Sequence, residues 1–300
     1  MFTRRNFLAA ASMASLSVLS PINLRAMDPI VRKKPAKLRL SLAAYSMRKY
    51  LAAKGKDKKM DLFEFVEYCH GLGITGVELT SYYFPEKVTT EYLSKLKMHC
   101  HVLGMTISGG AIRNDFCSNN SEKVEKDLQH TREWIDYYAH LGVPVIRIFA
   151  GDAQKNEEMP VTLERCAKNC ELACKYGAEK GVMLALENHG GVTAKATGLL
   201  DIVKQVNSPA FGVNFDSGNF HSTLDPYSEL EMIAPYAVNA QIKVEMQVEG
   251  KKAEADLPRI VQILRGVNYS GWVALEYESA EEPLEAIPRW LDKLKPLMDG

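Results

Sequence analysis

The sequence carries no excess of either charge: Lys and Arg together number 37, and so do Asp and Glu. A nucleic-acid binder normally carries a basic surplus that displaces counterions from phosphate, so the balance argues against that class. No apolar run has membrane length: the longest, near the N-terminus, is rich in serine and falls short of the ~20 residues of a spanning helix. Cysteines stand at 69, 100, 117, 166, 170 and 174 but form no C-x-x-C pair, which removes zinc-ribbon and thioredoxin-type sites. No G-x-G-x-x-G follows the first strand, so the dinucleotide fingerprint is missing too. Low-complexity and collagen-like stretches are absent. What remains is ordinary: 300 residues, 46% hydrophobic and 25% charged, enough for one large or two small globular domains.

The N-terminus reads as an address. Arg4 and Arg5 precede Phe7 and Leu8, and a mild apolar run continues to Leu19. This order resembles a twin-arginine secretory signal over 1–26, with a linker at 27–37. It implies recognition by the twin-arginine export machinery and a periplasmic location, membrane-tethered if the signal is uncleaved. That route carries folded proteins, so a cofactor is loaded before export and no disulfide framework is required. Cys166, Cys170 and Cys174 fall on one helical stripe and read as small buried apolar residues.

From residue 38 to 300 short apolar strands alternate with helices. Strands are expected at 38–47, 76–80, 105–110, 145–150, 182–187, 211–216, 238–245 and 272–278. Helices are expected at 61–72, 89–103, 121–141, 160–180, 195–207, 228–235, 254–266 and 283–297, with Asp61 and Ser121 as N-caps and glycines such as Gly142, Gly181 and Gly266 after helix ends. Repeated βα units imply a parallel sheet, and eight of them at this length imply a single-domain (β/α)₈ TIM barrel of class α/β. A doubly wound open sheet is the alternative.

Alternation along each strand sorts the faces. In the eighth strand Val273, Leu275 and Tyr277 oppose Ala274, Glu276 and Glu278; in the seventh, Val238, Ala240 and Ile242 oppose Asn239, Gln241 and Lys243. Glu78, Arg147, Glu187, Asn214 and Asp216 fall on the polar face of their own strands. The apolar face meets the helices, so the polar face lines the axis. Unpaired ions there cost several kcal/mol each, and a structural barrel fills that space with branched apolar residues. Either an internal salt-bridge network or a metal and a polar substrate accounts for them. Glu187, Asp216, Gln241 and Glu276 end four consecutive strands and can converge on a hard divalent ion, Mn²⁺ or Mg²⁺ before Co²⁺ or Zn²⁺.

The stretches LALENHGG (184–191), GVNFDSGNFH (212–221), NAQIKVE (239–245) and WVALEYE (272–278) resemble the xylose isomerase-like barrel superfamily, over about 38–297. That superfamily includes sugar isomerases and epimerases, inosose dehydratases and apurinic endonucleases. The resemblance implies metal ligands at Glu187, Asp216, the Gln241 position and Glu276. Where the usual pattern is H-x-K-D, this chain has Gln241, Lys243 and Glu245. It further implies that Glu187 and Glu276 flank a substrate carbon and shuttle its proton through an enediolate, while the cation stabilises the developing charge. Lys243 then holds an oxyanion or hydroxyl. His189 and His221 at the mouth, with Asn114, Arg147 and Glu78, are candidates for sugar hydroxyls.

The expected activity is a metal-dependent isomerase or epimerase on an unphosphorylated sugar or polyol. A lyase or dehydratase on a keto-sugar, keto-glycoside or cyclitol shares the first step. A non-enzymatic sugar-binding module is a third reading. The endonuclease reading is disfavoured because its three-zinc cluster needs several His ligands, and Asn219 stands where it has one. The sequence is compatible with a monomer or an oligomer.

Overall fold

The structure, a computed structural model, describes residues 27–52, 59–221 and 224–299. The expected signal at 1–26 lies outside them. Eight parallel strands close into one barrel: β1 (Leu38–Ala43), β2 (Gly76–Thr80), β3 (Thr106–Ala111), β4 (Val145–Ile148), β5 (Met183–Glu187), β6 (Phe211–Asp216), β7 (Ala237–Ile242) and β10 (Gly271–Leu275). Strand β1 pairs with both β2 and β10, which closes the ring. Helices α1 (Arg48–Leu51), α2 (Leu62–Gly71), α3 (Thr90–Val102), α4 (Ser121–Leu141), α5 (Met159–Lys180), α6 (Ala196–Val203), α7 (Pro226–Ile233), α8 (Leu257–Gly266) and α9 (Pro283–Met298) complete the βα units. The chain is a (β/α)₈ TIM barrel, as the alternation of elements implies. None of the helices in the described residues is long and apolar enough to cross a membrane.

Local chemistry places the helix ends. Asp61 caps α2 and accepts from the backbone of Phe63 and Glu64, while Glu64 reaches back to its backbone, a reciprocal pair that satisfies orphan N–H groups. The cap of α4 is Asn120 rather than Ser121: its side-chain amide oxygen accepts from the Lys123 N–H at 3.1 Å, and Ser121 becomes the first helical residue. Gly142 and Gly181 end α4 and α5 with φ of 80° and 72°. Gly266 is still helical; beyond it Asn268 takes the left-handed conformation at φ 53°.

The apolar face expected from alternation is buried against the helices, including Leu79, Ile146, Leu186, Phe215, Ile242 and Leu275. All six cysteines are free and buried. Two register shifts then set the phase of the polar face. Val77 pairs with Ile107 but Glu78 with Gly109, so Ser108 is the extra residue of a bulge; Val238 is the extra residue between the pairs Val213–Ala237 and Asn214–Asn239. Each bulge re-aims the side chains that follow it, and both stand beside Glu78, Asn214 and Asn239.

Two elements differ most from the sequence reading: the first strand, expected over 38–47, ends at Ala43 and gives way to a 3-10 turn (Ala44–Met47) and the short helix α1. The seventh strand ends at Ile242 instead of 245, and a hairpin follows, β8 (Glu245–Val248) and β9 (Lys251–Glu254), before α8. Its turn at Glu249 and Gly250, with φ of 51° and 74°, has the left-handed pair a two-residue hairpin needs.

Candidate active site at the C-terminal rim

Strand ends carry the chemistry in this architecture, and here they carry buried charge. Glu187 ends β5, Asp216 ends β6, and Glu276 lies one residue past β10; their exposures are 2%, 0% and 5%. One oxygen from each comes within 4.8 Å of the other two. This is the one group of His, Cys, Asp and Glu side chains among the described residues arranged to hold a metal ion.

Two cations stand among these acids. Arg147 Nε lies 2.9 Å from Glu187 Oε2, yet its N–H does not point at that oxygen, so the contact is an ion pair without a hydrogen bond. The guanidinium is held elsewhere: Nη1 donates to the Ile112 carbonyl at 2.7 Å, and the plane lies 4.0 Å from the Phe149 ring centroid. Lys243 Nζ reaches Asp216 at 3.1 Å, Glu276 at 3.3 Å, Glu278 at 3.2 Å and the Asn219 side-chain oxygen at 2.8 Å. Gly218 makes room for it, because a Cβ there would sit 2.5 Å from Lys243 Cδ. The Asn219 amide donates in turn to Glu187 Oε1 at 2.9 Å, bridging lysine to glutamate.

Burial dominates the electrostatics. It pushes Asp216 up to about 7, against the pull of Lys243. Glu187 and Glu276 are raised for the same reason, each further raised by the other acids and lowered by Arg147 and Lys243. Burial alone would lower Lys243 and Arg147; the carboxylates around them outweigh it and keep both charged. An internal salt-bridge network, one of the two alternatives for the polar face, is therefore present in part, since the chain supplies two cations of its own. The balance still favours a site for a third. Three buried carboxylates face two cations, and Glu187 Oε2 and Asp216 Oδ2 are buried and accept no hydrogen bond, each meeting only the charge of Arg147 or Lys243. Carboxylate oxygens with no hydrogen-bond donor suit a hard divalent cation.

Gln241 shares the inward face, at the register of Asp216, but its amide is committed elsewhere. Nε2 donates to Glu78 Oε1 at 2.5 Å, and Oε1 accepts from Asn214 Nδ2 at 2.6 Å. Asn239 Nδ2 closes a ring by donating to Glu78 Oε2 at 2.8 Å and Asn214 Oδ1 at 2.7 Å. Gln241 and Glu78 thus form a polar floor beneath the triad. Burial pushes Glu78 up to about 7, the two amide donors and Arg147 opposing it.

The histidines lie on the rim. His189 stacks on Phe149 with centroids 4.2 Å apart, and desolvation there, with Arg147 and Lys243 nearby, holds it down to about 4. His221 is lowered in the same way and borders an open cleft of about 560 Å³ that reaches Lys243 and Glu278. Asn114 is a brace: its amide donates to the Phe149 carbonyl at 2.7 Å and accepts from the Phe149 N–H at 2.9 Å.

Asn114 belongs to a pattern that alternation does not reveal. Asn188 brackets the backbone of Asp216 at 2.9 and 3.0 Å; Ser217 accepts from Lys243 N at 2.9 Å; Ser46 donates to Leu275 O at 3.0 Å and accepts from Tyr277 N at 2.8 Å. Where strand pairing stops, a side chain takes over the neighbour's backbone groups and steadies the segment that bears the acids. The only sequence signal is a small polar residue within three positions of the ends of β1, β3, β5 and β6. Tyr82 beside Arg147 also went unread, being set by loop conformation.

Comparison with known proteins agrees with this fold. Residues 66–294 match the xylose isomerase-like TIM barrel family, and the chain belongs to it. Nothing matches among curated proteins. Among solved structures, D-psicose 3-epimerase from Clostridium cellulolyticum superposes with a TM-score of 0.71 at 14% identity, covering 87% of this chain and 100% of that one. A 3-keto-D-glucoside 4-epimerase from E. coli superposes at 0.69 and 13%, covering 87% and 100%. A xylose isomerase domain protein from Planctomyces limnophilus superposes at 0.66 and 17%, covering 88% and 98%.

Proposed function

We propose that this protein is a sugar isomerase or epimerase, acting on an unphosphorylated sugar or polyol whose carbonyl acidifies a neighbouring C–H bond. The carrying observation is the convergence of Glu187, Asp216 and Glu276, two of them with a buried oxygen that accepts no hydrogen bond, at the rim of the barrel of this family. The similar folds include epimerases of free ketoses and of a keto-glucoside.

Glu187, Asp216 and Glu276 would hold a divalent cation, Mn²⁺ or Mg²⁺ by their hard oxygens. Such an ion, when bound, polarises carbonyl and hydroxyl oxygens and stabilises negative charge developing on them. Glu187 and Glu276 supply the proton transfers, one removing the proton and the other returning it to the opposite face. Carboxylates raised toward neutrality are well matched to that task. Asn219 and Arg147 fix the orientation of Glu187, and Lys243 presents a charge to an oxygen that becomes anionic. His189, held neutral, offers a hydrogen bond at the mouth without adding charge.

A lyase on a keto-glycoside is the second reading, favoured by open clefts on both sides of the acids. The N-terminal Arg4 and Arg5 motif supports export through the twin-arginine route. The test is exchange: with Mn²⁺ and a panel of unphosphorylated keto-sugars in deuterated water, the protein incorporates deuterium beside the carbonyl, and Glu276→Gln does not. Loss of an aglycone instead of inversion identifies the lyase. No incorporation with any member of the panel overturns the reading.

A further inference from the structure

Two clefts on the β2–β5 side of the mouth are one trough. The inner one, of about 940 Å³, begins at His189 and Phe149; the outer one, of about 1240 Å³, ends at Tyr82 and Trp134; Arg113, Asn114, Asp115 and Lys123 line both. The trough therefore starts two residues past Glu187 and leads away from the acids across the loop after β3. We propose that it is a subsite for a second sugar ring, so that the substrate is a glycoside of at least two rings. This rests on the sugar-carbon chemistry proposed above and extends it.

The lining has the character such a ring requires. A pyranose has apolar faces and a hydroxyl rim. Tyr82, 42% exposed, offers a rigid apolar surface at one end, and at the other the half-buried Phe149 ring is already covered by Arg147 and His189. Between them stand hydrogen-bonding groups of both signs. Lys123 and Asp115 are paired at 2.5 Å, while Arg113 is exposed, with no ion pair among the described residues, and has donors to spare. Near His189 the wall is glycine: the Cβ position of Gly190 opens onto empty space, whereas one at Gly191 would strike the Gly151 carbonyl at 2.3 Å. A side chain is thus excluded where the two loops touch, and the passage past Gly190 stays open. The first ring must lie over Glu187 and Glu276 to react, so whatever enters the trough is the portion beyond the reacting ring. A free ketose leaves it empty.

Binding of unreactive sugars to the full-length protein tests this without turnover. Titration calorimetry with glucose and with β-linked glucose disaccharides, all unoxidised, is expected to show disaccharide affinity about tenfold higher than glucose affinity. Arg113→Ala is expected to reduce that gain and leave glucose binding unchanged, its exposure making a folding defect an unsuitable explanation; Tyr82→Ala is expected to abolish the gain. Equal affinities, equal losses for both sugars in Arg113→Ala, or no disaccharide binding at millimolar concentration each overturn the subsite. Deuterium exchange on monosaccharides is read separately, so the subsite and the proton chemistry fail independently.

Discussion

Replacing Glu78 by Gln isolates the energetics of the polar floor. Glu78 accepts on both oxygens, Asn239 donates on both sides from one nitrogen, and Asn214 and Gln241 each pass a hydrogen bond through. A closed ring of this kind is satisfied only when every group that donates twice is matched by one that accepts twice. Gln at 78, or a protonated Glu, accepts on one side and donates on the other. One like-to-like contact then remains whichever way the amides flip. Wild type below its pKa and the Gln variant share that defect, so they differ little in acid. As pH rises the wild type alone must ionise a buried group. Its folded pKa is raised from 4.5 to about 7, so the native state holds the proton longer than the unfolded chain. Stability linked to Glu78 is full below 4.5 and is lost through about 7. The loss is about 3 kcal/mol, on the order of 6 °C in Tm. Denaturation of both proteins in a chelator, from pH 4.5 to 8, gives the assay. Other carboxylates titrate in both chains, so the difference curve reports Glu78. Glu78→Gln is expected to match wild type in acid and exceed it by up to that amount at pH 8. Parallel curves, or a variant less stable at pH 8, would refute the ring and its buried charge.

Three further outcomes follow from the rim. In chelator, Lys243→Met leaves Asp216 and Glu276 uncompensated and lowers stability by about 3–5 kcal/mol; added Mn²⁺ is expected to restore most of it, as read by Tm. Saturating Mn²⁺, at about 100 times its Kd, stabilises wild type by about 2.7 kcal/mol, and a similar rise in Asp216→Asn would show the ion is held elsewhere. Glu276→Gln lowers deuterium incorporation on the order of 10²- to 10⁴-fold while disaccharide binding persists; an undiminished rate removes Glu276 from the proton transfer.

Most of the barrel was legible because two periods carry it. Strand 211–216 and helix 121–141 were read to the residue, since clean alternation and a clean 3.6 repeat leave little choice. Alternation also put Glu78, Asn214, Asn239 and Gln241 on the axis side. It does not report depth, because a strand position fixes a face while partners decide which way an amide turns. Gln241 aligns with Asp216 in register, yet Glu78 and Asn214, across the barrel and on the adjacent strand, draw it into the floor. The hairpin at 245–254 escaped notice because its strands are only four residues each, the second (KKAE) is exposed and mostly charged, and its turn lacks Asn-Gly or Asp-Gly. Asn188, Ser217 and Tyr82 act through loop geometry, which no periodicity encodes.

The brackets made by Asn114, Asn188, Ser217 and Ser46 separate two jobs along the chain. Upstream of each, the polypeptide is pinned; downstream, it is released from any duty to the reacting groups. Evolution can therefore lengthen, shorten or redecorate the segments after residues 151 and 191 and retune what is recognised. The acids would keep their places throughout.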